Sequence, residues 1–333
     1  MDIRNPLGIL KNKNINSETT SELQGEIIMK KIIALLLLGS VLTSGIFAAK
    51  KQKTQTVKVG VCGANNDQWK AVQYVLDQEK SGIKIELVEF SAYNLPNEAL
   101  NSGDIDLNAF QHKAYLNNDA SKNGYDLAVI GDTLIAPLTL YSKKYKSLDE
   151  IKKAAGKNGT NSVKAGALKF AIPSDGTNLS RGIKLLEAAG LITVDPKAGY
   201  TPELKDITQL VYNVEVVPQT ANTLPQTLDD YAGATINGTY AIPAGLIPSK
   251  NGLIIEKQSE SGDNPYVNII VARTKDKNNE VYKKIVKAYQ SQIVAEYILS
   301  RFEEAFFPSF DYKEASAEKA AETVKTVNKA IKW

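Results

Sequence analysis

The order of apolar and polar residues predicts a strand, a helix and a second strand near the start of the folded chain. Val57–Val61 and Ile83–Phe90 alternate apolar with other residues, which is typical of strands with one buried face. Between them, Trp69, Val72 and Leu76 recur at the spacing of one helix face. These elements form a parallel βαβ unit, and ligands of such sheets bind beyond the carboxyl ends of the strands.

A second α/β pattern starts after a segment that contains a proline. Leu134–Tyr141 is apolar, but Pro137 cannot donate a hydrogen bond inside a sheet, so this segment is predicted to be a sheet edge or a crossing between domains. The same reasoning predicts strands at Ile105–Phe110, Leu127–Ile130, Leu168–Ile172, Tyr212–Val217, Ala232–Ile236 and Val267–Arg273, and helices at Gly182–Ala189, Val281–Phe302 and around Val324–Ile331. Lys153–Gly166, rich in lysine, glycine and asparagine, is the most linker-like stretch.

Residues 29–48 have the features of a secretory signal peptide. Two lysines precede the apolar run Ile32–Leu42, and small residues follow it. The run is too short to span a bilayer, which takes about 20 apolar residues. We therefore expect Met29 to be the start, residues 1–28 to be an upstream extension, and the mature protein to be exported to the periplasm or the cell envelope.

Composition excludes several classes of function. The chain has 40 lysines and arginines against 37 acidic residues, and this near balance gives no basis for nucleic-acid binding. Cys62 is the only cysteine, so no disulfide can form within the chain. With one cysteine and one histidine, a soft-ligand metal site is not expected, and no cofactor is predicted.

The only histidine, His112, lies in the stretch N-A-F-Q-H-K-A-Y-L, between Phe110 and Tyr115. Tyr93 follows the second predicted strand, while Phe110 ends the third, so these aromatic side chains are expected at one edge of the sheet. A lone histidine near aromatic residues is most often a hydrogen-bonded structural residue. Several aromatic residues together with a histidine instead favour a lined pocket for a small ligand.

The second pattern offers polar groups in the corresponding positions. Asn178 and Arg181 are predicted on the first turn of a helix that follows a strand, where an anion is favoured and an arginine can hold a carboxylate through two hydrogen bonds. An exposed ion pair is the equally plausible interpretation of Arg181. Asn237 follows another strand and could accept a hydrogen bond from an ammonium. An aromatic slot facing these groups suits a zwitterionic amino acid with an apolar side chain.

An exported enzyme is the alternative from another class. The sequence has no G-x-S-x-G, no H-E-x-x-H and no phosphate-binding loop ending in Gly-Lys-Ser/Thr. Any Ser/His or Cys/His pair would have to use His112, which lies among aromatic residues. The residues therefore favour binding without turnover.

Several motifs occur together in a fixed order. They are F-S-A-Y-N-L-P-N, N-A-F-Q-H-K-A-Y-L, N-G-Y-D-L, L-Y-S-K-K-Y-K-S-L-D-E-I, A-I-P-S-D-G-T-N-L-S-R-G, A-T-I-N-G-T-Y-A and N-P-Y-V-N-I-I-V-A-R. This set resembles the NlpA/MetQ family of methionine-binding proteins, which are substrate-binding subunits of ABC importers, over roughly residues 57 to 310.

The resemblance implies a fold, a function and a site. The fold is an α/β, two-lobed periplasmic-binding-protein type II fold with its ligand cleft between the lobes, lobe 1 at 56–136 and 242–333 and lobe 2 at 137–241. The ligand is L-methionine or, as alternatives, a methionine-containing dipeptide or another apolar amino acid, and the partners are an ABC permease and its ATPase. Tyr93, Phe110, His112 and Tyr115 would line the side-chain pocket, with Asn178, Arg181 and Asn237 holding the backbone groups.

The sequence departs from the family in three places. Family members usually carry a lipid on a cysteine at the end of the signal peptide, whereas Ala48, Ala49 and Lys50 stand here, so we expect an exported chain without a lipid. Asn66–Trp69 replaces the common Gly-Pro-His, which predicts a different pocket rim. Lys153–Gly166 and the tail beyond Tyr312 are interpreted as additions.

Overall fold

The computed structural model describes residues 54–257, 264–302 and 305–333. The predicted upstream extension and signal peptide lie outside these ranges. In the described ranges the strands, numbered in chain order, are β1 (Gln55–Cys62), β2 (Ile83–Phe90), β3 (Leu107–Asn108), β4 (Leu127–Ile135), β5 (Thr139–Tyr141), β6 (Lys157–Thr160), β7 (Leu168–Pro173), β8 (Ile192–Val194), β9 (Ile207–Tyr212), β10 (Val214–Gln219), β11 (Gly233–Ile236), β12 (Gly252–Ile255), β13 (Val267–Arg273) and β14 (Phe307–Pro308).

The α-helices alternate with these strands along most of the chain. They are α1 (Gln68–Gln78), α2 (Pro96–Ser102), α3 (Lys113–Asn123), α4 (Leu148–Ala155), α5 (Gly176–Ala188), α6 (Leu224–Thr227), α7 (Gly238–Ala241), α8 (Pro248–Asn251), α9 (Glu280–Tyr289), α10 (Gln292–Arg301) and α11 (Ala317–Ala330). No helix in the described ranges has the length and apolar character needed to cross a bilayer.

Two main sheets share one topology and define two lobes. The first has the order β14-β4-β13-β3-β1-β2, and the second has the order β10-β7-β11-β5-β12. In each sheet the strand next to one edge, β1 or β7, pairs in parallel with both neighbours, as the predicted βαβ units require. In each, the strand by which the chain enters the lobe, β13 or β5, lies antiparallel beside the strand by which it leaves, β4 or β12.

The chain crosses between the lobes twice, at residues 136–138 and after Ile255. The first crossing contains Pro137, where the sequence predicts it. The second lies later than the predicted boundary between residues 241 and 242, because β12 pairs with β5 in the second sheet. The two crossings bond to each other, since the Glu256 N–H donates to the Leu138 carbonyl over 2.8 Å.

Each lobe has its own apolar core. In lobe 1, Trp69 of α1 is fully buried and packs edge-on against Tyr289 of α9, with ring centroids 5.2 Å apart. In lobe 2, Phe170 of β7 and Ile183 of α5 are fully buried in a second core. Separate cores let each lobe form a rigid wall of a cleft between them.

Several local predictions differ from the structure. Lys153–Gly166 is not a linker, because β6 within it pairs with β9 in a small sheet of order β6-β9-β8. The long helix predicted at Val281–Phe302 is divided into α9 and α10, since the Ser291 side chain caps α10 by accepting the Val294 N–H. The tail beyond Tyr312 contains α11, whose Val327 is fully buried in the lobe 1 core.

Candidate ligand-binding site

A buried network of amides anchors the loop that contains the histidine. Asn97, Asn108 and Gln111 are at most 2% exposed and bond to one another over 2.6–2.9 Å. Asn97 also donates to the Asp119 carboxylate over 2.8 Å, which joins the network to α3. Since buried polar groups are costly to leave unpaired, this network fixes the backbone after β3.

His112 has both a structural and a pocket-lining position. Its Nδ1 accepts the Tyr115 N–H over 3.1 Å and caps α3, so the ring proton lies on Nε2. Nε2 lies 3.5 Å from the Asn178 Oδ1 of lobe 2. Burial and the nearby Arg181 charge lower the pKa of His112 to about 3, so the ring is neutral at physiological pH. The structural interpretation of this histidine is therefore compatible with a place in the pocket wall.

Three aromatic rings of lobe 1 form a cage beside His112. Tyr93 follows β2, and Phe110 follows β3, so both lie at the carboxyl ends of strands that flank β1. The centroids of Tyr93, Phe110 and Tyr115 are 5.8–6.0 Å apart, with one stacked and two edge-on pairs. Burial raises the pKa of both tyrosines, so their hydroxyls stay protonated. The cage offers ring faces and edges to an apolar ligand group.

Helix α5 places the polar groups of lobe 2. It begins at Gly176, six residues before the predicted start, and the Asp175 side chain caps it by accepting the Asn178 N–H over 3.1 Å. Asn178 is therefore in the first turn, whereas Arg181 is in the second. The helix lies close to its sheet at Gly182, where a Cβ would come within 2.9 Å of Ile172 and Thr235 side chains.

Arg181 is 3% exposed and has protein partners on most of its guanidinium. Nε and Nη2 donate to the two carboxylate oxygens of Glu256, and Nη2 also donates to the Ala136 carbonyl. Nη1 donates to the Asn178 Oδ1 over 3.0 Å. The predicted two-bond grip on a ligand carboxylate differs from this geometry, because Glu256 occupies that edge. Burial lowers the pKa of Arg181, but Glu256 more than offsets this, and the net shift is upward.

Asn237 provides an unpaired acceptor. It follows β11 and precedes α7, and its Nδ2 donates to the Asn178 Oδ1 over 3.0 Å. Its Oδ1 is buried and has no hydrogen-bond partner among the described residues. A buried acceptor without a donor costs free energy, which a ligand N–H in the cavity would recover. Asn237 is thus suited to accept from an ammonium.

These groups converge on one cavity between the lobes, with about 340 Å³ of empty space. It is lined by all seven residues that the sequence singles out: Tyr93, Phe110, His112, Tyr115, Asn178, Arg181 and Asn237. The volume lies at the lower end of the range for small-molecule pockets. Among the described residues, no group of three His, Cys, Asp or Glu side chains could hold a metal ion.

Other lining residues have no role in the sequence-based prediction. They are Gln111, Ala136, Gly238, Thr239 and Asn268. Motifs that carry the family resemblance contain four of them, namely Gln111, Gly238, Thr239 and Asn268. These motifs were the sequence feature from which a place in the cavity wall could have been predicted. Glu256 lies in none of these motifs and meets Arg181 only through the fold.

The segment Asn66–Trp69, where the sequence departs from the family pattern, contributes to a neighbouring cavity. Asn66 and Gln68 line a second cavity of about 440 Å³ that shares Phe110, Thr239 and other residues with the first. Trp69 is fully buried in the core. Gln68 is 5% exposed, and its Oε1 has no hydrogen-bond partner among the described residues. Asn66 and Gln68 thus lie next to the first cavity.

Comparison with known proteins gives the family. A model of the NlpA lipoprotein family matches residues 57–310, more than half of the chain. The chain belongs to the NlpA lipoprotein family. The resemblance read from the sequence motifs is therefore confirmed.

Curated relatives of this NlpA-family chain include lipoproteins of several bacteria. It is 42% identical over 262 residues to the D-methionine-binding lipoprotein MetQ of Salmonella typhimurium, covering 78% of this chain and 90% of the relative. It is 40% identical over 259 residues to outer membrane lipoprotein 3 of Mannheimia haemolytica, covering 78% and 92%. These names are those of binding or envelope lipoproteins, which agrees with the prediction that the chain is not an enzyme.

Solved structures of methionine-binding proteins have the same fold as this chain. A crystal structure of the methionine-binding protein MetQ superposes with a TM-score of 0.68 at 40% identity, covering 77% of this chain and 98% of the other. A Burkholderia cenocepacia nutrient-binding protein bound to methionine gives a TM-score of 0.67 at 36% identity, covering 76% and 100%. The predicted two-lobed α/β binding-protein fold is thus confirmed.

Cys62 does not have the position of a family lipid-attachment cysteine. It lies in β1 and is 4% exposed, next to Phe110 and Tyr115. Burial raises the pKa of its thiol well above the usual value. Cys62 is therefore a core residue.

Proposed function

We propose that the chain is the extracytoplasmic substrate-binding protein of an ABC importer and binds L-methionine or a close analogue. The observation that carries this proposal is the buried Asn237 Oδ1, which has no partner among the described residues and lies with Arg181 and the cage of Tyr93, Phe110 and Tyr115 around one cavity. Acceptor and cation suit the ammonium and carboxylate of an amino acid, and the cage suits its apolar side chain. A relative named for D-methionine binding and a solved structure bound to methionine support methionine as the ligand.

The chemistry of the cage favours a thioether over an alkyl side chain. Sulfur at the edge of an aromatic ring contributes about 0.3–1.5 kcal/mol per contact. A methionine side chain could reach the edges of Phe110 and Tyr115, whose rings are edge-on at 76°. The ligand would be desolvated when it enters the pocket. His112 remains neutral there, so binding would require no proton transfer to or from this residue.

The proposed partners follow from the same role. A binding protein of this family would deliver its ligand to an ABC permease that is driven by an ATPase, and would contact the membrane only through that permease unless it carries a lipid. Membership of a lipoprotein family supports the predicted export to the periplasm or cell envelope.

A calorimetric titration tests the proposed ligand. The mature chain is unfolded, stripped of bound ligand, refolded and titrated with L-methionine, D-methionine, glycyl-methionine, leucine and glutamine. We expect sub-micromolar binding of methionine and much weaker binding of leucine and glutamine. Tighter binding of glycyl-methionine than of methionine would show that the ligand is a dipeptide. If none of these compounds binds, the proposed function is rejected.

A further inference from the structure

The Arg181 guanidinium is held by Glu256, which is not among the residues that line the cavity. Both carboxylate oxygens of Glu256 accept from this edge, from Nε and from Nη2. Arg181 is 3% exposed and Glu256 is 19% exposed, so the pair is largely shielded from water. Loss of either partner would leave a buried charge without compensation.

Glu256 also connects this pair to both crossings between the lobes. Its N–H donates to the Leu138 carbonyl over 2.8 Å, and its Oε2 accepts the Leu138 N–H over 3.0 Å. Arg181 itself donates to the Ala136 carbonyl over 3.0 Å. A side chain of lobe 2 is thereby bonded to the segments 136–138 and 256, where the chain passes from lobe to lobe.

Arg181 itself lines the cavity and has one N–H left for a ligand. The Tyr266 ring lies 4.7 Å from the Arg181 Cζ, which restrains the guanidinium from one face. Four of the five N–H groups donate to Glu256, Ala136 and Asn178, and in the described part of the chain the fifth, on Nη1, has no acceptor. A ligand carboxylate would therefore meet Nη1, beside Asn178 and Asn237.

We infer that Glu256 is a positioning residue that sets the orientation of Arg181, so that the guanidinium presents Nη1 to the ligand carboxylate and stays bonded to both crossings. This inference rests on the proposed function, because it needs a ligand with a carboxylate. Glu256 does not line the cavity, so it would act on the ligand through Arg181. A glutamine at this position keeps the shape but turns an N–H₂ toward an arginine N–H, which displaces the guanidinium.

A double-mutant cycle tests whether Glu256 acts through Arg181. Methionine affinity is measured by calorimetry for the wild type, Glu256→Gln, Arg181→Met and the double variant, each checked by thermal unfolding. In the wild-type background, Glu256→Gln should weaken binding at least tenfold. In the Arg181→Met background, the same substitution should change affinity less than twofold, because the group it positions is gone.

The alternatives give different results. An equal loss in both backgrounds would indicate a purely structural role and overturn the inference. Tighter binding by Glu256→Gln would mean that Glu256 competes with the ligand for Arg181, which also overturns it. If the wild type does not bind methionine, the proposed function itself fails, and this outcome is distinct from normal wild-type binding with an unaffected Glu256→Gln variant.

Two further variants guard against misfolding and non-specific effects. Glu256→Asp retains the charge but is one methylene shorter, so it should weaken binding less than Glu256→Gln, and unchanged affinity in both would contradict the inference. Asp276→Asn breaks a comparable pair, since Asp276 accepts from Arg273 over 2.8 Å in lobe 1. This control should leave methionine affinity within twofold of the wild type.

Discussion

Lobe 1 supplies the cavity with aromatic rings, whereas lobe 2 supplies it with hydrogen-bonding and charged groups. Tyr93 and Phe110 lie on the loops after β2 and β3, and Tyr115 lies in the first turn of α3. The buried amide network anchors the loop between β3 and α3. Asn178, Arg181 and Asn237 are set by the helices after β7 and β11. The two lobes share one strand topology, so the difference lies in the side chains at equivalent strand ends.

This difference predicts a division of labour in recognition. Every amino acid has the same ammonium and carboxylate, so the groups of lobe 2 would contribute to binding of any of them. Side chains differ among amino acids, so the cage of lobe 1 would set which one is preferred. Substitutions in lobe 2 should therefore weaken binding of all amino acids alike, whereas substitutions in the cage should change the preference among them.

Arg181→Ala should weaken binding of methionine about 10- to 150-fold, because a hydrogen bond to a charged group contributes about 1.5–3 kcal/mol. Affinity for a weaker ligand such as leucine should fall by a similar factor, since the carboxylate is common to both. Calorimetric titration of both ligands measures this. Arg301→Ala, which removes a more exposed pair with Asp67 in lobe 1, is the control. Unchanged methionine affinity in the Arg181 variant would remove this residue from the site.

Asn237→Ala should weaken methionine binding about tenfold through loss of the acceptor for the ammonium. The analogue 4-(methylthio)butanoate has the same side chain and carboxylate but no ammonium, so its affinity should change much less. Competition titrations of the two compounds give the ratio directly. Exposed Asn123→Ala serves as a control. Equal losses for both compounds would assign Asn237 a structural role only.

Phe110→Leu should change selectivity more than it changes overall binding. Loss of one sulfur–aromatic contact of about 0.3–1.5 kcal/mol corresponds to a roughly 2- to 12-fold weaker affinity for methionine, with a smaller change for leucine. Phe302→Leu replaces a phenylalanine that is 2% exposed in the lobe 1 core and should leave the methionine-to-leucine ratio unchanged. A constant ratio in the Phe110 variant would argue against the cage as the selectivity element.

His112 should lower the stability of the fold at acidic pH. Methionine affinity should not depend on the protonation of this residue. Its pKa is lowered from 6.5 to about 3 in the fold, so on acidification the unfolded chain takes up a proton that the folded chain does not. The free energy of unfolding should therefore fall by about 1.4 kcal/mol more between pH 7.5 and 5.5 in the wild type than in His112→Gln. Urea unfolding at both pH values measures this, and equal pH dependence would show that His112 is not buried as a neutral ring.

The sequence was informative where local pattern decides structure. Ile83–Phe90 and Val267–Arg273 are strands with the predicted bounds, because alternation and β-branched residues act locally. The strand-end rule brought Tyr93 and Phe110 to one edge, since β2 and β3 are both parallel to β1. The same rule located the polar residues of lobe 2.

The sequence was less informative where contacts between residues far apart in the chain decide the structure. Nothing near Arg181 indicates that Glu256, 75 positions later, occupies its bidentate edge. Lys153–Gly166 has a linker-like composition, but β9 stabilises its strand by pairing. The tail beyond Tyr312 has a role in the core because α11 packs on α10, where Tyr297 donates to Asn328.

A structure of the chain with bound methionine tests the division between the lobes most directly. The measured quantities are the distances from the ligand atoms to the two walls of the cavity. We predict the carboxylate within hydrogen-bond distance of Arg181 Nη1, the ammonium at Asn237 Oδ1, and the sulfur against Phe110 and Tyr115. A ligand in the reverse orientation, with its carboxylate in the aromatic cage or its sulfur beside Arg181, would contradict this prediction.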